Sequence, residues 1–167
     1  MRIFFAIWPP AETARALARW ALEAQRLTGG TVTREEKIHL TLAFLGDADH
    51  ARAIAAARRV RAQPLELPIE QTRYWRDNRI VWAGPRETPP PLLELFKRME
   101  FELYKEDFLL ERRPFAAHVT LIRKARAAKS LPPLPALGWP VSEFVLVRSM
   151  LSSAGATYEP IERFALA

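Results

Sequence analysis

The chain has 167 residues, of which 49% are hydrophobic and none is cysteine. This size and composition suit a compact domain with a buried core, and they exclude a mainly disordered chain, a disulfide framework and cysteine chemistry. The apolar run that opens the chain stops at Pro9 and Pro10, so it is too short for a membrane span or a signal-peptide core. We therefore expect an unexported, cytoplasmic protein. No linker or repeat divides the chain, so we expect one domain over residues 1–167.

Positive charge exceeds negative charge, with 25 Lys and Arg against 19 Asp and Glu and a formal net charge of +6. Six of the basic residues lie between Arg112 and Lys129, with no Asp or Glu among them. A solvated surface explains such a run as readily as a binding site for a polyanion does. The run alone therefore identifies no partner.

The first part of the chain predicts two strands that alternate with two helices. Aromatic and branched residues at 2–8 predict a strand, and residues 38–45 predict another, closed by Gly46 and Asp47. Between them a helix should end at Gly29 and Gly30. The buried face of that helix should hold Leu17, Trp20, Ala21, Ala24 and Leu27. A second helix is predicted at residues 50–62, with one face formed by Ile54, Ala57 and Arg61.

The remainder of the chain predicts mostly strands. Residues 65–75 and 79–83 predict a hairpin, and a helix should follow the prolines that end at Pro91. The apolar face of this helix should hold Leu92, Phe96, Met99 and Leu103. A strand at 117–122, a proline-rich surface connection at 132–140 and two strands at 141–151 and 157–166 complete the chain. This mixture favours an antiparallel or mixed α+β architecture over a doubly wound sheet.

The pattern His-apolar-Thr-apolar occurs twice, in Ile-His-Leu-Thr-Leu and in Ala-His-Val-Thr-Leu. Its polar members are His39, Thr41, His118 and Thr120. Residues two apart in a strand share a face, so each histidine should project beside its threonine while the apolar residues enter the core. Two such strands facing each other across a cleft would place two imidazoles on opposite sides of a small substrate.

A pair of imidazoles suits acid and base catalysis near neutral pH. One can remove a proton from water while the other protonates a departing oxygen. With threonine hydroxyls and a nearby arginine to bind the non-bridging oxygens, the pair favours in-line displacement at phosphorus. A single strand histidine is usually structural, but two of the three histidines here hold equivalent places in one pattern. The third, His50, suits a surface or capping role.

Two other interpretations use the same residues. A metal site held by the two histidines would need carboxylates or further histidines at short spacing, and neither motif contains one. A nucleotide- or RNA-binding module would use the cleft without turnover, but such a module has no need for two imidazoles. We therefore expect an enzyme that requires no metal or other cofactor.

The segments Ile38 to Gly46 and Ala117 to Arg123 resemble the signature motifs of the two-histidine phosphoesterases, specifically the bacterial RNA 2′,3′-cyclic phosphodiesterases, also called 2′-5′ RNA ligases. The resemblance extends over essentially the whole chain. It implies an α+β fold with two lobes related by pseudo-twofold symmetry. In such a fold antiparallel sheets line a central cleft and helices lie on the outside.

The resemblance also implies an activity and roles for the residues. The activity is metal-independent hydrolysis of an RNA 2′,3′-cyclic phosphate end, or of a cyclic nucleotide, to a 2′-phosphate, with slow 2′-5′ ligation as a minor reaction. By analogy His39 is the general acid and His118 the general base, although the sequence alone allows the reverse. Thr41 and Thr120 would bind the phosphate. We expect a monomer with no membrane partner.

Phe44 and Arg123 hold equivalent places, each five residues after its histidine. Similar family members use these positions for base stacking and phosphate contact. Strict alternation would turn both side chains away from the histidine face, so these roles require the strand to end or twist there. Phe44 suits a plain core position equally well. Trp75 and Trp82 could stack on bases, but hairpin aromatics more often pack in a core, so we predict that they lie outside the site.

Overall fold

The computed structural model describes residues 1–110 and 114–167, and within them it contains three α-helices and ten β-strands. The helices are α1 (Ala11–Thr28), α2 (His50–Arg59) and α3 (Pro90–Lys105). The strands are β1 (Arg2–Ile7), β2 (Thr31–Val32), β3 (Leu40–Asp47), β4 (Leu65–Glu66), β5 (Gln71–Trp75), β6 (Ile80–Gly84), β7 (Val119–Arg123), β8 (Pro140–Val141), β9 (Glu143–Ser152) and β10 (Gly155–Ala165). No helix in this part of the chain is long and apolar enough to cross a membrane.

Most of the strands form one antiparallel sheet, in the order β10-β9-β1-β3-β7-β6-β5, with β2 also paired to β7. Strands β4 and β8 pair separately. The two halves of the large sheet join through one residue pair between β3 and β7, Leu40 with Val119. Each of these residues follows the histidine of its motif, so an antiparallel pairing of the two places a pseudo-twofold axis at this point. The predicted α+β class with antiparallel sheets is confirmed.

The three helices contribute to one hydrophobic core on a single face of the sheet. Alternate residues of β1 point into this core and are fully buried, namely Ile3, Phe5 and Ile7. The intervening residues point to the opposite face, where Phe4, Ala6, Val145 and Val147 form a second cluster. Each large apolar side chain in these clusters contributes roughly 1.5–3 kcal/mol by burial. The second face is the one that lines the cleft described below.

Local sequence signals set the helix ends. Helix α2 begins after Asp49, whose carboxylate accepts a hydrogen bond from the backbone N–H of Ala51. Helix α1 ends at Thr28, and the residue that follows it, Gly29, adopts a φ of +62°. At Gly30, a Cβ would lie 2.3 Å from the carbonyl oxygen of Arg123. Only glycine permits this close approach, which brings the end of α1 against the end of β7.

Three predicted helix positions differ from the structure. Leu27 is 48% exposed, whereas Thr28 is buried and its hydroxyl donates to the Ala24 carbonyl oxygen. The buried face therefore continues four residues after Ala24, as the helical period allows. In α3, Leu95 rather than Phe96 is fully buried. The prediction that α2 includes Arg61 is wrong, because the helix ends at Arg59.

The strand boundaries also differ from the prediction. Strand β3 begins at Leu40 and extends through Gly46 to Asp47, because β1 pairs with it as far as that residue. The predicted strand at 65–75 is divided between β4 and β5, which belong to different sheets. The connection at 132–140 does not lie wholly on the surface, since Trp139 is fully buried. From the predicted basic run, Arg112 and Arg113 lie outside the described residues.

Candidate active site

The polar residues of both motifs line one open cleft of about 360 Å³ on the face of the sheet opposite the helices. The cleft lies where β3 meets β7, so each half of the sheet supplies one imidazole. The predicted residues that line it are His39, Thr41, His118, Thr120 and Arg123. Residues of β2 and its neighbourhood, and of the β9–β10 turn, close the remaining sides.

Both imidazoles are held in the same orientation by the main chain. Nδ1 of His39 lies 2.7 Å from the carbonyl oxygen of Lys37, and Nδ1 of His118 lies 2.8 Å from that of Ala116. A carbonyl oxygen only accepts, so each Nδ1 carries a proton and donates it. The neutral form of each ring therefore keeps its lone pair on Nε2. Nε2 of His39 lies 3.0 Å from the hydroxyl oxygen of Thr41.

A β-bulge in β3 returns Phe44 to the histidine face. Opposite β1, Phe5 pairs with Ala43 but Ala6 pairs with Thr41, so Leu42 is an extra residue on β3. Leu42 and Ala43 are consequently both buried toward the core. The alternation shifts by one position, which places Phe44 on the same face as Thr41.

An equivalent bulge in β7 does the same for Arg123. Opposite β6, Val81 pairs with Ile122 and Trp82 with Thr120, so Leu121 is the extra residue. Leu121 and Ile122 are both fully buried, and Arg123 is exposed and lines the cleft. The break in strict alternation that brings Phe44 and Arg123 to the histidine face is therefore present in both motifs, three residues after each histidine.

Phe44 lies beside the cleft rather than in its lining. Its ring is 54% exposed, so it is not a core aromatic. It stacks on Phe4 with 6.1 Å between ring centroids, and the guanidinium of Arg2 lies 5.5 Å from its centroid. Phe4 in turn lies 5.3 Å from the imidazole of His39. The exposed ring of Phe44 is thus separated from the imidazole of His39 by the ring of Phe4 alone.

Aromatic rings also surround both imidazoles. Trp8 stacks on His39 at 4.8 Å with 17° between the planes, and Tyr158 meets the same ring edge-on at 5.4 Å. On the other side, Trp75 meets His118 at 4.6 Å. Trp75, which was predicted to lie outside the site, therefore contacts a cleft imidazole, although it does not itself line the cleft. Trp8 lies just beyond β1, Tyr158 on β10 and Trp75 at the end of β5, and no local motif connects them to the histidines.

The surroundings lower the pKa of both histidines. Burial lowers the pKa of His39 to about 4, the positive charges of Arg123 and His118 act in the same direction, and the hydrogen bond to Lys37 opposes them. Burial also lowers the pKa of His118, and Arg123 contributes again. In the free protein both rings are therefore neutral at pH 7, with Nε2 unprotonated.

We expect His39 to make the folded protein less stable in acid. The unfolded chain takes up a proton near pH 6.5, whereas folded His39 does so only near pH 4. The free energy of unfolding should therefore fall as the pH is lowered from 6.5 to 4. We expect the fall to be roughly 3 kcal/mol larger in the wild type than in His39→Gln. Urea unfolding at several pH values measures this difference. The exposed His50→Gln variant should follow the wild-type curve, and parallel curves for wild type and His39→Gln would contradict the expectation.

Within residues 1–110 and 114–167, no group of three or more His, Cys, Asp or Glu side chains is arranged to hold a metal ion.

The chain resembles known proteins in sequence over nearly its full length. Residues 7–82 match the family model described as LigT like Phosphoesterase. The chain is 33% identical to the RNA 2′,3′-cyclic phosphodiesterase of Escherichia coli (strain K12), with 99% of this chain and 96% of that protein covered. It is 30% identical to the protein of the same name from Thermus thermophilus, with 99% and 90% covered.

The fold resembles solved structures just as extensively. The crystal structure of E. coli LigT complexed with 3′-AMP superposes with a TM-score of 0.89 at 30% identity, covering 99% of this chain and 97% of that chain. The crystal structure of TT0787 of Thermus thermophilus superposes with a TM-score of 0.85 at 28% identity, covering 99% and 98%.

Proposed function

The chain belongs to the family of LigT-like phosphoesterases that includes RNA 2′,3′-cyclic phosphodiesterases, and on this basis we propose that it hydrolyses 2′,3′-cyclic phosphates at RNA 3′ ends to 2′-phosphates. One observation carries the proposal. Two imidazoles from equivalent motifs line one cleft, and each has its Nδ1 bound to a main-chain carbonyl. This leaves two Nε2 atoms for proton transfer, which is the number that acid and base catalysis of a displacement requires.

In the proposed reaction His118 acts as general base and His39 as general acid. Nε2 of His118 takes a proton from water as the water oxygen attacks phosphorus. The bond between phosphorus and the 3′ oxygen breaks, and Nε2–H of protonated His39 donates its proton to that oxygen. The product carries a 2′-phosphate and a 3′-hydroxyl. The two histidines return to their starting states by proton exchange with solvent.

The remaining cleft residues are suited to bind the phosphate. Thr41 and Thr120 place hydroxyls beside the two imidazoles, and Arg123 supplies a positive charge to the same space. Hydrogen bonds and charge aimed at the non-bridging oxygens stabilise the transition state. The bound anion also offsets the charge of Arg123, which favours the protonated His39 that the acid role requires.

We propose that the chain acts as one domain and as a monomer, because both motifs and both imidazoles of the cleft come from a single chain. Ligation would use the same groups in reverse, with a 5′-hydroxyl of RNA attacking the cyclic phosphate. Water is the far more abundant nucleophile, so we expect ligation to be a slow and minor reaction.

The direct test uses protein dialysed against EDTA and a short RNA that ends in a 2′,3′-cyclic phosphate. We expect full hydrolysis in EDTA, no stimulation by added Mg²⁺ or Mn²⁺, and a 2′-phosphate as the product resolved by chromatography. A 3′-phosphate would show that the 2′ oxygen leaves and would contradict the proposed reaction. Activity only with added metal would contradict the two-histidine mechanism, and binding without product would indicate a binding module.

A further inference from the structure

The β5–β6 hairpin continues the cleft face of the sheet beyond His118. Trp82 of β6 pairs with Thr120 on one side and with Arg73 of β5 on the other. Directly paired residues share a face, so Arg73 lies on the same face as the phosphate-binding residues. Trp75, two residues further along β5, shares that face and contacts His118. We call Arg73, Trp75 and the adjoining turn residue Arg76 the hairpin platform.

The platform carries positive charge that no described carboxylate neutralises. Within residues 1–110 and 114–167, the salt bridges of the arginines lie on α2, on α3 and at the pairing of β9 with β10. None involves Arg73 or Arg76, and both side chains are exposed. The guanidinium Nε of Arg73 donates to the side-chain oxygen of Gln71, at 3.1 Å. This hydrogen bond orients the guanidinium without cancelling its charge.

The neighbouring segment adds to this charge. Arg79 lies at the end of the hairpin turn, and its guanidinium donates to the carbonyl oxygens of Lys124 and Ala125. These hydrogen bonds hold the turn against the segment that follows Arg123, where Lys124 and Arg126 are exposed. Arg123 lines the cleft and Arg73 lies on the same face of the sheet, so both place positive charge on the cleft face. Asp77 is the one acidic residue within 71–84 or 123–126.

We propose that the hairpin platform binds the nucleotides that immediately precede the cyclic phosphate end of an RNA strand. Aromatic side chains interleaved with arginines are the means by which proteins hold single-stranded nucleic acid, with bases stacked on rings and phosphates paired to guanidinium groups. The platform adjoins His118, whereas in the proposed reaction the ribose and its 3′ oxygen lie toward His39. The RNA strand would therefore turn at the ribose and cross β7 and β6 to bring its preceding phosphates to Arg73 and Arg76. The enzyme then acts preferentially on oligonucleotides over cyclic mononucleotides. This inference rests on the proposed function.

The test compares two substrates that share the same terminal base, a 2′,3′-cyclic mononucleotide and a four-nucleotide RNA ending in a 2′,3′-cyclic phosphate. The variant is Arg73→Gln with Arg76→Gln. The matched control is Arg15→Gln with Arg19→Gln, which removes the same charge from α1. We expect the platform variant to lose about tenfold or more in kcat/KM for the RNA, with turnover of the mononucleotide unchanged. The slope of log kcat/KM for the RNA against log salt concentration should also become less negative, by about 0.7 for each phosphate that the platform no longer neutralises.

Three results would overturn the inference. These are an equal loss for both substrates, an equal loss in the control, and an unchanged kcat/KM for the RNA. The proposed function is judged separately, because it fails if the wild type hydrolyses neither substrate. In that case fluorescence anisotropy with a labelled RNA ending in a 2′-phosphate decides the matter. Weaker binding by the platform variant than by the control supports the platform, and equal binding overturns it.

Discussion

Replacing either His39 or His118 with glutamine is expected to lower kcat/KM for a cyclic phosphate RNA by roughly 10²–10⁴-fold. That range is the usual contribution of one general acid or base. Glutamine keeps a polar side chain of similar reach but neither gains nor loses a proton near neutral pH. The two effects should not add, because the proposed acid and base act in one displacement. Steady-state kinetics of both single variants and the double variant measures this.

His50→Gln is the matched control for that experiment. It removes the remaining histidine, which begins α2 and is exposed, so its kcat/KM should equal that of the wild type. Thermal unfolding of each variant separates loss of catalysis from loss of the fold. Retention of more than a tenth of the activity by a folded His39→Gln or His118→Gln protein would contradict the paired mechanism.

Replacing Arg123 with glutamine should lower kcat/KM by roughly 10²–10³-fold and also shift its pH dependence. The loss reflects removal of one group that stabilises the charge on the phosphate. Arg123 lowers the pKa of His39 and of His118, so its removal raises both values. In the proposed mechanism one imidazole must be protonated, so we expect kcat/KM to fall as the pH rises above these pKa values. We expect this decline to begin below pH 6.5 in the wild type and at a higher pH in Arg123→Gln.

The pH profile makes this prediction specific to charge. Arg123→Lys keeps a positive charge in the cleft, so the decline should begin close to its wild-type position even if activity is reduced by the loss of bidentate geometry. Arg26→Gln, on the exposed face of α1, should change neither the rate nor the profile. A profile for Arg123→Gln that coincides with the wild-type profile would show that its charge does not act on the histidines.

The histidines and threonines of the cleft could be predicted from the sequence because their placement follows from a local rule. In a strand, the two-residue period alone places His39 with Thr41 and His118 with Thr120 on one face. The position of Arg123 depends on more than this rule. Its side chain faces the cleft because β6 pairs with β7 across an extra residue, and that register is a property of two strands together.

The aromatic residues around the imidazoles could not be predicted from a local rule either. Trp8, Trp75 and Tyr158 come from three different strands or their ends, and the sheet order that joins those strands is determined by pairing over long sequence distances. The surface of α1 gives a smaller example. Leu27 and Thr28 are adjacent, and hydrophobicity favours burial of the first, but the helical period places the second on the buried face.

The single pairing of Leu40 with Val119 has a consequence for regioselectivity. A substrate phosphate near a pseudo-twofold axis meets an imidazole and a threonine on either side, so the paired motifs by themselves treat the 2′ and 3′ oxygens alike. The choice of leaving oxygen must therefore be encoded where the two halves differ. After the shared threonine, the first such difference on the cleft face lies at equivalent positions, with the ring of Phe44 in one half and the cation of Arg123 in the other. For the proposed substrate, we therefore expect the orientation in which the ribose enters the cleft to depend on residues that break the symmetry.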